Sequence, residues 1–186
     1  MAIHALGKIN SRLKFLYRNQ SFLNSSLRRL LCNAIIQPHY DFACLAWYPN
    51  LNKGLKKKVQ TSQNKCIRFC LNMGNRDHVG VKEFKKINWL PTKERFEQCI
   101  TKLPPDIYQK CITQLGWARK LVEHLKIPNQ VTYRGLRTLT YVGPRLWNNL
   151  TSNIKSSGSV NIFKHMLKVK LFRELQKEED SPYVFY

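Results

Sequence analysis

Between about Leu51 and Leu71, the residues Leu55, Val59, Ser62, Cys66, Phe69 and Cys70 fall on one side of a helix turning 100° per residue, while Lys57, Lys58, Thr61, Asn64, Lys65 and Arg68 fall on the other. That run constrains the chain more than any other. One face has to pack against further elements, and the opposite face is a cationic stripe. Interleaved Thr61 and Asn64 suit the stripe to phosphate and sugar oxygens.

The rest of the chain is patterned in the same way. Leu6, Ile9, Leu13 and Leu16 recur at helical spacing and predict a helix from about 5 to 19. Asn24 or Ser25 can cap a second helix carrying Leu27, Leu30, Leu31, Ala34 and Ile35, which is kinked or interrupted at Pro38 before an apolar pattern resumes from Tyr40 to Trp47 and ends at Pro49. Residues 72–80 read as a loop and a domain boundary. Short helices are expected at 81–87 and, after a turn at Leu90-Pro91, at 92–102, where Glu94 suits the amino-terminal dipole. Pro104-Pro105-Asp106 opens a helical pattern through Ile107, Cys111, Leu115, Leu121 and Leu125. Leu136 to Val142 is the one good strand candidate, ended by Gly143-Pro144 and followed by a short helix around Trp147. Ser156 to Ser159 is a small-residue linker, and a last helix covers about 160–175 with its facing left open by scattered basic residues.

Charge narrows the partners. The 32 Lys and Arg residues outnumber the 11 Asp and Glu, for a net +21. Residues 1–75 hold 12 of the basic residues and the single acid Asp41. Such an imbalance points to a polyanion, either nucleic acid or an anionic membrane surface. No apolar run approaches the roughly 20 residues that span a bilayer, and the amino terminus lacks an apolar segment followed by a cleavage site. An intracellular protein, nuclear or cytoplasmic and not secreted, is expected. A mitochondrial presequence is the alternative for the first 40 residues.

Signs of chemistry are sparse. Tyr40-Asp41 is followed by Phe42 rather than by a second Asp, so no carboxylate pair is available to hold two metal ions. As the lone acid among basic helices, Asp41 is expected to pair with Arg28 or Arg29. Cys66 and Cys70, four apart, could share a metal with His78, but both sit on the apolar face, which favours core packing. The six cysteines read as reduced thiols. Trp47, Tyr48, Trp89 and Trp147 are either stacking platforms for bases or core residues, and their apolar contexts favour the core. There is no glycine-rich phosphate loop, no dinucleotide fingerprint and no local Ser-His-acid or Cys-His arrangement. No cofactor or small-molecule substrate is implied.

Several runs carry a family resemblance: INSRLKFLYR (9–18), LRRLLCNAII (27–36), QPHYDFACLAWYPN (37–50) and QTSQNKCIRFC (60–70), then INWLPTKER (87–95), YVGPRLW (141–147) and NIFKHML (161–167). Together they resemble the thumb and post-thumb region of non-LTR retrotransposon reverse transcriptases of the jockey/CR1-like kind, over most of residues 6–100 and 138–175. The resemblance implies a mainly α fold, with a thumb-like basic helical bundle at 1–75. A smaller helical appendage follows at 76–186, with at most one or two short strands, and it departs from the family pattern at 101–137. It also implies a transposable-element product, a truncated reading frame that begins after the catalytic part of an RNA-directed DNA polymerase would have ended and is not itself an enzyme. Its thumb would hold a template–primer duplex (RNA, DNA or hybrid) by the backbone. The expected contacts are Lys57, Lys58, Lys65 and Arg68, helped by Arg12, Arg28 and Arg29, with no catalytic or metal residue. Two other readings remain: a basic helical protein binding anionic membrane or protein partners, and a pseudogene product without a selected function.

Overall fold

The computed structural model describes residues 2–42, 44–102, 124–130, 132 and 135–180. Among them the chain is mainly α, with no strand. It divides into two compact units, Met1–Glu94 with Glu174–Tyr186, and Arg95–Arg173.

The first unit is built on two long helices. Helix α1 (Ala2–Arg18) buries Ile9, Leu13 and Leu16 on one side. After a 3-10 turn at Gln20–Phe22, α2 (Ser25–Leu31) starts at Asn24, whose side chain accepts from the Leu27 N–H at 2.9 Å, as a good N-cap does. The helix then widens into a π-turn (Cys32–Ile36) and continues as α3 (Gln37–Asp41). The irregularity sits just ahead of Pro38, whose ring crowds the carbonyl four residues back and whose missing N–H leaves it unbonded, so the ladder loosens there instead of breaking. Helix α4 (Cys44–Trp47) follows, and then α5 (Lys53–Leu71), capped by the Asn52 side chain accepting from Leu55 N–H at 2.8 Å and ended by Asn72 in the left-handed conformation (φ 54°).

One expectation fails within α2. Leu27, Leu30 and Ala34 are exposed, and the inward positions belong to Arg28, Cys32 and Ile36. An arginine takes the place of an apolar residue because its guanidinium finds polar partners inside. Nε donates to the Leu23 carbonyl at 2.9 Å, and one terminal nitrogen donates to the Gln20 carbonyl at 2.9 Å. The other donates to Asn72 Oδ1 at 2.6 Å, and the group lies 5.4 Å from the centre of the Phe69 ring. Of the two partners expected for Asp41, Arg28 is therefore excluded. Asp41 accepts from Gln37 Nε2 at 3.4 Å, one turn back on its own helix.

Helix α6 (Val81–Ile87) begins where the Glu83 carboxylate accepts from Gly80 N–H at 3.0 Å and ends at left-handed Asn88. The turn leading to α7 (Thr92–Thr101) is pinned to the rest of the unit by amides. Gln63 donates to the Leu90 carbonyl at 2.9 Å, and Gln60 Oε1 accepts from both the N–H and the hydroxyl of Thr92. Asn33 accepts from the Trp89 indole at 2.6 Å. Gln63 is fully buried. The packing face of α5 is thus wider than its apolar residues indicated.

The second unit holds most of α7, a 3-10 turn at Gly135–Arg137, α8 (Leu139–Asn148), α9 (Ser152–Lys155) and most of α10 (Val160–Glu179). Trp147 stacks on Phe163 with ring centres 6.2 Å apart, and Ile154, Leu167 and Leu171 are buried. The Asn148 side chain exchanges two hydrogen bonds with the backbone of Leu125. The strand expected at Leu136 to Val142 is instead the 3-10 turn and the start of α8. No strand lies among the described residues to pair with it, whereas in a helix the Thr138 carbonyl takes the N–H groups of Tyr141 and Val142 at once. Pro144, expected to end the element, lies inside α8. Residues 103–123 of the helical pattern opened by Pro104-Pro105-Asp106 lie outside the described residues, and Leu125 is in no helix.

Candidate nucleic-acid interface

Helix α5 separates its two faces as its sequence requires. Val59, Ser62, Gln63, Cys66, Ile67, Phe69 and Cys70 are buried, and Lys57, Lys58 and Lys65 are exposed. At 100° per residue, Lys57, Lys58, Thr61, Lys65 and Arg68 occupy an arc of about 100° pointing away from that core. Arg68 is half-buried and anchored, its Nε donating to the Asp77 carbonyl at 2.8 Å, which leaves its other nitrogens for a ligand. The amide and hydroxyl between the cations are less free than their types suggest. Thr61 donates its hydroxyl to the Lys57 carbonyl at 2.8 Å, so it can only accept from a ligand. Asn64 uses its oxygen to accept from Gln60, which leaves its amide hydrogens to donate.

The other expected contacts divide. Arg29 is exposed on α2, and Arg12 is exposed on α1 with one terminal nitrogen on the Ile35 carbonyl at 3.0 Å. Arg28 does not belong with them. It is 9% exposed and each of its three nitrogens is engaged, by Leu23, Asn72 and Gln20, so it fixes the junction of α2 and α5 and is not presented to a strand. A helical wheel cannot detect this, because it takes an arginine for a surface residue.

Behind the stripe lies a thiol-rich core. Cys32, Cys44, Cys66 and Cys70 are buried. Burial pushes Cys66 up to about 12, and a hydrogen bond to Cys70, followed by burial, raises Cys32, so both remain protonated thiols at neutral pH. The Tyr40 hydroxyl meets Ser62 Oγ at 3.1 Å and the Cys66 sulfur at 3.9 Å, and burial holds its phenol well above the usual range. No group of three His, Cys, Asp or Glu side chains among the described residues is arranged to hold a metal ion. Trp47, Tyr48, Trp89 and Trp147 are all buried, so these rings pack and do not offer themselves to bases. Tyr48 also supports Lys56, whose Nζ lies 5.0 Å from the ring centre.

The sequence pattern missed a second cationic group. His4, Lys8 and Arg12 follow one another at four-residue intervals on α1, and His39 of α3 lies within their field, since Arg12, Lys8 and His4 all act against its protonation. The i, i+4, i+8 spacing alone could have revealed the α1 residues, whereas His39 joins them only through tertiary packing. No helix among the described residues is long and apolar enough to cross a membrane. No family model matches the chain, and no curated protein or solved structure is significantly similar to it.

Proposed function

We propose that this chain holds the phosphate backbone of a nucleic-acid duplex, without reading its sequence, as the thumb-like part of a reverse-transcriptase-derived protein. One observation carries the reading: α5 packs one face and turns Lys57, Lys58, Lys65 and Arg68 outward as a single arc. Side chains of this type fix register and orientation on a duplex but carry no base-specific information. The reverse-transcriptase assignment rests on the resemblance of the sequence runs, and catalysis is not assigned to this chain.

Changing Lys57, Lys65 and Arg68 together to Glu tests the reading. Binding should weaken by the same factor on every sequence, and the dependence of log affinity on log salt should be shallower by about 2.7 on a B-form duplex, about 0.9 for each phosphate that is no longer neutralised. Far-ultraviolet circular dichroism should be unchanged, because none of the three is a core residue. Undiminished binding by the folded variant would remove α5 from the mechanism.

A second reading has its own observation. Phe15, Phe22, Leu27 and Leu30 are exposed among the cations of the first unit, Phe22 at 83% and Leu30 at 61%. Large apolar side chains beside Lys and Arg are what a helix resting on an anionic bilayer presents. Tighter binding to phosphatidylserine vesicles than to duplex would favour that function.

A further inference from the structure

On α1, His4, Lys8, Arg12 and Phe15 fall within an arc of about 80° at 100° per residue, flanking the side that buries Ile9, Leu13 and Leu16. His4, Lys8, Arg12 and Phe15 are all exposed, Phe15 at 63%. From His4 to Arg12 the helix rises about 12 Å, which sets the three cationic positions one turn apart along a line that an extended strand can follow. Phe15 continues the row with a ring on which an unpaired base can stack.

Against this row packs α3 with His39, whose Nε2 is buried and has no hydrogen-bond partner in the protein. Burial first, and then the charges of Arg12, Lys8 and His4 that reach it from α1, hold the imidazole below the ordinary histidine range. The π-turn packed on α3 carries no charged residue. Asp41, on α3 itself, is engaged by Gln37. An anion seated on the row would offset the repulsion that, after burial, disfavours a proton on His39.

We propose that the exposed flank of α1 formed by His4, Lys8, Arg12 and Phe15 is a second contact surface, for a single nucleic-acid strand, and that its occupation is coupled to proton uptake at His39. This rests on the nucleic-acid binding proposed above. It adds a surface that α5 does not share and a pH dependence that α5 does not predict.

The experiment titrates the full chain into a fluorescein-labelled single-stranded oligonucleotide at fixed salt, from about pH 8 to about pH 6, the range in which histidines titrate. Wild type, Lys8→Gln, His39→Gln and the α5 triple variant are compared. Wild-type affinity should rise as pH falls, by at most about tenfold per unit for one coupled proton. Lys8→Gln should weaken binding at both ends of the range, with a salt slope shallower by about 0.7 on a single strand. His39→Gln should match wild type at the alkaline end and gain less affinity on acidification, while the α5 triple variant keeps the wild-type pH dependence. If wild type binds and Lys8→Gln binds equally well, the α1 surface is overturned and the α5 reading stands. An unchanged pH profile in folded His39→Gln overturns the coupling. Failure of wild type to bind either strand or duplex brings down the functional reading itself.

Discussion

Arg28 is a cation by type and a core residue by position. Its side chain closes the angle between α2 and α5 through Gln20, Leu23 and Asn72, and covers Phe69. Arg28→Ala should cost about 2–4 kcal/mol, measured by urea unfolding, because it leaves part-buried acceptors unpaired as well as a void beside Phe69. Affinity per folded molecule should not change. Arg28→Lys should recover little of the loss, since an ammonium cannot reach three divergent acceptors. His39 makes a pH-dependent contribution whose sign is fixed. Burial and then Arg12 depress the folded-state value below the unfolded one of about 6.5, so the unfolded chain binds the proton more readily. The stability tied to neutral His39 is therefore complete above about pH 6.5 and declines as pH falls from there through the depressed folded value. Urea midpoints of wild type should fall more steeply over that window than those of His39→Gln. Neither role was legible from the sequence: residue type suggested a surface arginine, and His39 owes its setting to a helix distant in the chain.

Elements were more legible than residues where a periodic apolar face coincided with a capping residue. Helices α1, α5, α6 and α7 lie close to their expected spans, and α10 runs four residues past its expected end. Asn24 and Asn52 cap α2 and α5 through their side chains, so Asn24→Ala and Asn52→Ala should each lower stability by about 1 kcal/mol in thermal or urea unfolding. Equal stability of both variants would mean that the helix starts contribute nothing in this context. Illegibility had two causes. Thr138, Thr140 and Val142 have strand-like side chains, but strand preference reflects a half-buried pleated surface to pack on, and no strand among the described residues supplies one. Helix α2 turns inward a face other than the one its leucines indicate, because one arginine finds part-buried acceptors there. The cationic arc of α5 was legible, since charge and period agree there. Its anchors were not: Gln60 and Gln63 lie in the same run and look like further surface amides, yet they hold the turn before α7.

For the whole molecule, the competing explanation of any binding is the net charge of +21 itself, which draws polyanions to a protein wherever its cations lie. A local site and a diffuse field make different predictions. If Lys57, Lys58, Lys65 and Arg68, with Arg29 as one further cation, meet about five phosphates, log affinity should fall with log salt at a slope of about −4.5. That corresponds to a loss on the order of 500-fold between roughly 50 and 200 mM salt on B-form duplex. Reversing Arg145, Lys164 and Arg173 to Glu provides the control. All three are exposed in the second unit, and their reversal lowers the net charge as much as the α5 triple does. A bound strand on α5 predicts that this control retains the wild-type slope, while the α5 triple loses more than half of it. A diffuse field predicts that the two variants weaken alike. Salt titrations of the three proteins on one duplex, repeated on a second sequence, decide between them, because equal losses in both variants would leave the chain with charge but without a site.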